Sequence, residues 1–185
     1  MPAPNWAHIW LTAISRPKLS TFEKLAVSPQ ATTRRAYTWL GAAALAGWAV
    51  PALASLARGG LPVPVVVVAA LVLWGLTLVW FSLAHGAADY LAQIFGMRLP
   101  FDRMAYTAAS FCAPLVIVAG ALMAGPGFMR ALLLPLLIYA FYLDVLAVRA
   151  VYRLGWAQGL VAAAPGTLLM LVPLAAVAAV AVQLL

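Results

Sequence analysis

The sequence predicts an all-α fold: a polytopic transmembrane bundle of five helices, with an N-terminal amphipathic interfacial segment. Three observations lead there. The first is composition: of 185 residues 66% are apolar and 8% charged, and the mean hydropathy is +1.04. A soluble domain averages about 45–50% apolar and about 25% charged residues, so four acids and eleven bases cannot clothe a water-facing surface. The second is five apolar runs, each near the roughly 20 helical residues that cross a hydrocarbon core about 30 Å thick. The third is that the bases gather at alternate ends of those runs. Together they exclude a soluble enzyme, a disordered tail and a disulfide scaffold. A net charge of +7 would indicate nucleic acid in a soluble protein. In a membrane protein it marks cytoplasmic loops, and no nucleic-acid partner is expected.

Residues 1–35 form the amphipathic segment. Trp6, Ile9, Trp10, Ala13 and Ile14 recur at helical spacing on one stripe. Asn5 is placed to cap that helix, and Arg16-Pro17 ends it, because the residue before proline avoids the α region. A second short helix is expected from Ser20, whose spacing to Glu23 forms a capping box, with Phe22, Leu25 and Ala26 as its apolar side. Trp6, Ile9, Trp10 and Ile14, with Arg16 and Lys18, are the expected membrane-interface anchor, tryptophans at headgroup level and bases towards anionic lipid. Two other readings stay open: the stripe packs on the ends of the spans, or docks a partner. Arg16, Lys18, Glu23 and Lys24 interrupt the segment before any long apolar run, unlike a secretory signal.

Residues 36–185 hold the spans. The first is 36–57, ended by Arg58-Gly59-Gly60. The second is 61–84, with a helix that can continue through Asp89 towards Gly96. The third is 104–124, stopped by Gly125-Pro126-Gly127, and the fourth and fifth are 128–151 and 158–182. Such short links make successive spans antiparallel neighbours. The stretch from His85 to Arg103 is the other sizeable piece expected outside the spans. No strand alternation competes, and a closed barrel needs more segments. Nine of the eleven bases fall on the side of the N-terminus and two, Arg58 and Arg130, on the other. The positive-inside rule then puts the N-terminus in the cytoplasm and the C-terminus outside the cell membrane.

Asp144 is the least comfortable residue, because an ionised carboxylate at a helix centre costs about 2.5–3.5 kcal/mol on insertion scales. It is expected to face the protein interior and find a donor. Arg98 or Arg103 reaches it more naturally than Arg149, which is five residues on and off its face. Asp144, Arg149, Arg103 and Arg98 are therefore the expected intramembrane polar cluster, a structural clasp first and a proton or ion relay second. His85 and Asp89, at i and i+4, can touch. They offer too few ligands for a metal, and a lone histidine at the membrane edge is thin support for an axial haem or chlorophyll ligand. Cys112 has no partner for a disulfide. No nucleophile elbow, phosphate-cradling glycine loop or H-E-x-x-H occurs, so neither catalysis nor a cofactor is expected. Pro51, Pro114, Pro135, Pro165 and Pro173 punctuate the spans. Ala43-x-x-x-Gly47, Gly120-x-x-x-Ala124 and Gly155-x-x-x-Gly159 are small-residue pairs that permit close helix packing.

The lead Trp10-Leu11-Thr12-Ala13-Ile14-Ser15-Arg16-Pro17, then Thr21-Phe22-Glu23-Lys24-Leu25, is similar to the amphipathic entry of bacterial members of the Yip family (Ypt/Rab-interacting-protein domain). Tyr106 followed by Pro114 resembles that family's third span. Tyr139 to Tyr152, ending Val148-Arg149-Ala150-Val151-Tyr152 before Leu154-Gly155, resembles its fourth span and turn. The likeness runs over residues 10–180. It departs at Phe95-Gly96-Met97-Arg98, where the family often carries a glycine pair. The resemblance implies a prokaryotic, non-enzymatic integral membrane protein that organises or shapes membrane or assists membrane-protein assembly. Its implied partners are the lipid bilayer and other membrane proteins or further copies of itself, and partnership with small GTPases does not carry over. Two alternatives remain: an accessory subunit of a larger bioenergetic membrane complex, and a small ion-coupled permease using Asp144.

Overall fold

A computed structural model of the chain describes residues 5–59, 62–96 and 98–168, and the regular structure among them is α-helical. The helices are α1 (Trp6–Ser15), α2 (Leu19–Ala26), α3 (Thr33–Ala57), α4 (Val63–Phe95), α5 (Phe101–Ala124), α6 (Gly127–Arg130) and α7 (Leu133–Tyr152). An eighth, α8, is described over 156–168. Four stretches have the length and hydropathy to cross a membrane: α3, α4, α5 and Gly127–Tyr152, which joins α6 to α7. The chain is thus a multi-pass membrane protein by the character of its helices. Of the expected fifth span, 158–182, the part from 169 onwards lies outside the described residues.

The departures from expectation are local and have local causes. The helix of the second span runs on through Asp89 to Phe95, the continuation the sequence allowed, at the expense of the loop expected after it. Alanine, leucine and glutamine carry α4 on to Phe95, one glycine at residue 86 being a tolerable cost of about 1 kcal/mol. The loop expected over His85 to Arg103 therefore shrinks to the residues between Phe95 and Phe101, where Pro100 takes the N-cap of α5. The fourth span breaks into α6 and α7 at Ala131-Leu132. Pro135 lies in the first turn of α7, where a missing N–H leaves no bond unmade. Asn5 caps α1, its side chain accepting from Ala7 N–H. The capping box on Ser20 does not form: α2 starts at Leu19 with Lys18 as its N-cap and no side-chain cap. One reason is that the Thr21 hydroxyl instead donates to the Arg16 carbonyl at 3.0 Å, closing the turn around Pro17 from outside.

Helix α5 is the axis of the bundle. Met104 to Ala113 are all buried, Tyr106 and Met104 completely, because α3, α7, α4, α1 and α2 all pack on it. The closest approach is between α3 and α5 at Gly47 and Gly120, two of the small residues marked in the sequence. A Cβ built on Gly120 would lie 1.9 Å from the Gly47 carbonyl oxygen. Helices α1 and α2 lie across one end of the bundle. Ile9, Ala13, Phe22 and Ala26 are buried there, and the Phe22 ring meets Phe111 edge-on at 6.0 Å. The Tyr139 hydroxyl donates to the Ile14 carbonyl, and Thr33 donates to Asp102 through its N–H at 2.8 Å and through its hydroxyl. The N-terminal residues are thereby stitched to α5 and α7.

Helix α4 behaves differently. In its most apolar 18-residue window 6% of residues are buried, against 50% for α5. Many of its valines and leucines, among them Val65, Val68, Leu71, Leu76, Val79 and Leu83, are exposed. At about 1.5 Å per residue its 33 residues span about 50 Å, well beyond the hydrocarbon core. Its C-terminal third is tied to the end of α7, where Asp89 accepts from the Tyr152 hydroxyl.

Candidate functional site

Asp144 is buried on α7, and the group facing it is His85 on α4. His85 Nε2 lies 3.5 Å from Asp144 Oδ1, the one ion pair among the described residues. The geometry falls short of a hydrogen bond, so Oδ1 has no hydrogen-bond partner. His85 is 2% exposed, and its Nδ1 lies 2.9 Å from the Phe81 carbonyl. A carbonyl oxygen only accepts, so Nδ1 carries a proton and donates it there. Nε2 is then the ring nitrogen turned towards Asp144 Oδ1. This is how α4 and α7 hide a histidine and an aspartate at membrane depth. The Phe81 ring covers the imidazole at 4.3 Å.

The pair lines an apolar cavity of about 230 Å³ that also borders Cys112, Phe111, Trp48, Thr77 and Thr167, drawing on α3, α4, α5, α7 and α8. Its polar groups are mostly engaged. Trp48 Nε1 donates to the Thr77 hydroxyl at 2.9 Å, which itself donates to the Leu73 carbonyl at 2.8 Å. Asp89, one turn from His85, points elsewhere: it accepts from Gln93 Nε2 at 2.8 Å and from the Tyr152 hydroxyl. The expected His85–Asp89 contact is replaced by two others, and Asp89 clamps α4 to the end of α7.

The expected arginine partners of Asp144 are also replaced. Five residues at about 100° each rotate Arg149 some 140° around the helix from Asp144, which turns it to the opposite flank of α7. There its Nε donates to the Leu154 carbonyl at 3.3 Å, and its guanidinium stacks over Trp156 at 3.9 Å from the ring centroid. Arg103 joins Arg149 on the wall of a second cavity, between α2, the start of α5 and the end of α7. Arg98 is exposed in the α4–α5 link. Of the four residues expected together, the structure brings Arg103 and Arg149 together and leaves Asp144 and Arg98 apart from them. The anchor residues divide as well. Ile9 is buried, Trp10 and Ile14 are half-buried, and Trp6, Arg16 and Lys18 are exposed. Trp6, Trp10, Trp39 and Tyr106 form a continuous aromatic run from that exposed end into the core, with centroid spacings of 4.6, 6.2 and 5.1 Å.

Among the described residues no group of three histidine, cysteine, aspartate or glutamate side chains is placed to hold a metal ion. Compared with known proteins, the chain matches no family model, no curated protein and no solved structure.

Proposed function

We propose that the chain is a five-span, non-enzymatic integral membrane protein of the Yip type, residing in the cell membrane with its N-terminus in the cytoplasm and its C-terminus outside. In this reading it organises or shapes membrane, or assists the assembly of other membrane proteins, through helix surfaces rather than through a reaction. The supporting observation is α4, which carries the highest hydropathy of the four candidate spans and the smallest buried share. A helix so poorly covered by its own bundle is solvated by lipid or by another protein's helices, and helix association in lipid rests on such packing. In this reading helices α1 and α2 supply a headgroup-level platform, with Trp6 and Leu11 exposed on it.

The test is site-specific photocrosslinking in native membranes, with the reactive side chain placed at Val68 or Leu76 on α4 and, as a control, at Ala109 in the core of α5. Protein adducts from α4 alone support the reading. Lipid adducts alone at α4, with the chain purifying as a solitary monomer that leaves vesicle shape unchanged on reconstitution, overturn it. If the adducts are the large subunits of one assembly, the accessory-subunit alternative takes its place.

The His85–Asp144 pair favours one second reading, a small ion-coupled permease. A histidine and an aspartate facing each other at 3.5 Å beside a cavity are the kind of groups such carriers protonate and release. Proton-driven flux in proteoliposomes that Asp144→Asn abolishes would select it over the scaffold.

A further inference from the structure

The second cavity joins two chemistries that rarely meet without a ligand. It encloses about 630 Å³, inside the usual range of about 300–1,000 Å³ for small-molecule sites. Its inner lining is apolar, with Ala26 and Val151 buried and Leu19 and Leu99 beside them, and it also carries Lys24, Arg103, Arg149 and Arg153 against one acid, Glu23. Among the described residues none of these four bases is in an ion pair. Arg149 is held in place by the Leu154 carbonyl and the Trp156 ring, and its stem runs over Gly159, where a Cβ would come within 2.4 Å. A preorganised guanidinium loses little freedom when it binds an anion.

The depth of the cavity follows from the helices that line it. Arg103 is in the first turn of α5, while Arg149 and Arg153 are at the last turn and C-cap of α7. These arginines are therefore at the ends of spans, at headgroup level, and the apolar lining faces the bundle. We propose that this cavity is a binding site for an anionic phospholipid, with the phosphate on the Lys24, Arg103, Arg149 and Arg153 rim and the upper acyl carbons on the apolar lining. The shared chemistry is a phosphate group. A free phosphate or phosphate monoester would use the rim alone and leave the apolar lining empty, so the lipid fits better. Basic pockets between spans take anionic headgroups on this principle. The inference is independent of the Yip-type reading and needs no partner protein.

The experiment uses the full chain in neutral detergent, titrated with short-chain phosphatidylglycerol, with phosphatidylcholine, and separately with glycerol 3-phosphate and inorganic phosphate, with bound ligand counted by native mass spectrometry. One phosphatidylglycerol retained in preference to phosphatidylcholine is expected. Arg103→Gln and Arg153→Gln should each weaken it about fivefold, and about 25-fold together. Glu23→Gln, which removes the acid of the rim, should tighten it about fivefold on the same scale, a gain that misfolding cannot mimic. Arg103→Lys should retain most of the binding. Arg58→Gln and Arg130→Gln remove the same charge at exposed positions across the bundle and should change nothing. Equal retention of the two lipids, equal loss in the Arg58 and Arg130 variants, or binding of glycerol 3-phosphate as tight as that of phosphatidylglycerol would each overturn the assignment.

Discussion

A methyl group added at residue 120 meets backbone on every near side. In Gly120→Ala the new Cβ falls 1.9 Å from the Gly47 carbonyl oxygen, 2.6 Å from its carbonyl carbon and 2.9 Å from its Cα. Carbon and carbonyl oxygen pack no closer than about 3.3 Å even in favourable Cα–H···O contacts, so α3 and α5 must part by about 1.4 Å at their crossing. No side chain can rotate away to absorb this. Overpacking of a tight core costs about 1–3 kcal/mol, and the better helix propensity of alanine returns about 0.5–1 kcal/mol. The net expected loss is up to about 2.5 kcal/mol. Gly47→Ala meets the Val116 carbonyl oxygen at 2.8 Å and should lose less. Gly75→Ala, with nothing within 4 Å, should be neutral or slightly stabilising. The assay is reversible unfolding of the full chain in mixed micelles by sodium dodecyl sulfate, followed by helical circular dichroism. The order of stability should be Gly75→Ala, then Gly47→Ala, then Gly120→Ala. Finding Gly120→Ala as stable as Gly75→Ala would refute the close crossing, and with it the role of α5 as the axis.

Other substitutions read other parts of the bundle in the same assay. His85→Leu strands the Asp144 carboxylate and should cost about 3–5 kcal/mol, whereas His85→Leu with Asp144→Leu should recover most of that loss. A double-mutant cycle without coupling would contradict the pair. Tyr152→Phe removes the hydroxyl that Asp89 accepts from, and unfolding midpoints should fall by an amount equivalent to about 1.5–3 kcal/mol. Arg153 has φ 55°, left-handed backbone that glycine adopts without strain. Arg153→Gly should therefore stabilise the end of α7 by about 1 kcal/mol, even as it weakens phosphatidylglycerol binding.

The helices were legible because lipid imposes a simple demand on sequence. Apolar runs near twenty residues, bounded by Gly59-Gly60 and Gly125-Pro126-Gly127, marked where α3 and α5 stop. The small-residue pairs pointed to Gly47 and Gly120 as contact positions, though not to each other. The polar interior was harder to read. Asp144 was recognisable as a residue needing a partner, but nearness in sequence and abundance of charge directed attention to the arginines. Depth was the better guide: His85 and Asp144 each precede the end of their helix by roughly two to three turns, on two helices that run the same way through the bundle. A search restricted to equal depth brings them together. The basic cavity was legible only in part: Arg103 and Arg149 were expected near each other, though around Asp144, and Lys24 and Arg153 join them only because α2 folds back against α7. That fold-back is set by Phe22 and Ala26 finding places in the core, a tertiary event with no signature in the spacing of the bases.

Counting the crossings tests the whole account most directly. With Cys112→Ala as a cysteine-free background, single cysteines at Ser20, Arg58, Arg98, Arg130 and Gln183 are exposed to a membrane-impermeant maleimide on intact cells. The account predicts labelling at 58, 130 and 183, with 20 and 98 labelled only after the membrane is opened. Labelling of residues 20 and 183 from the same side would mean an even number of crossings and would contradict it.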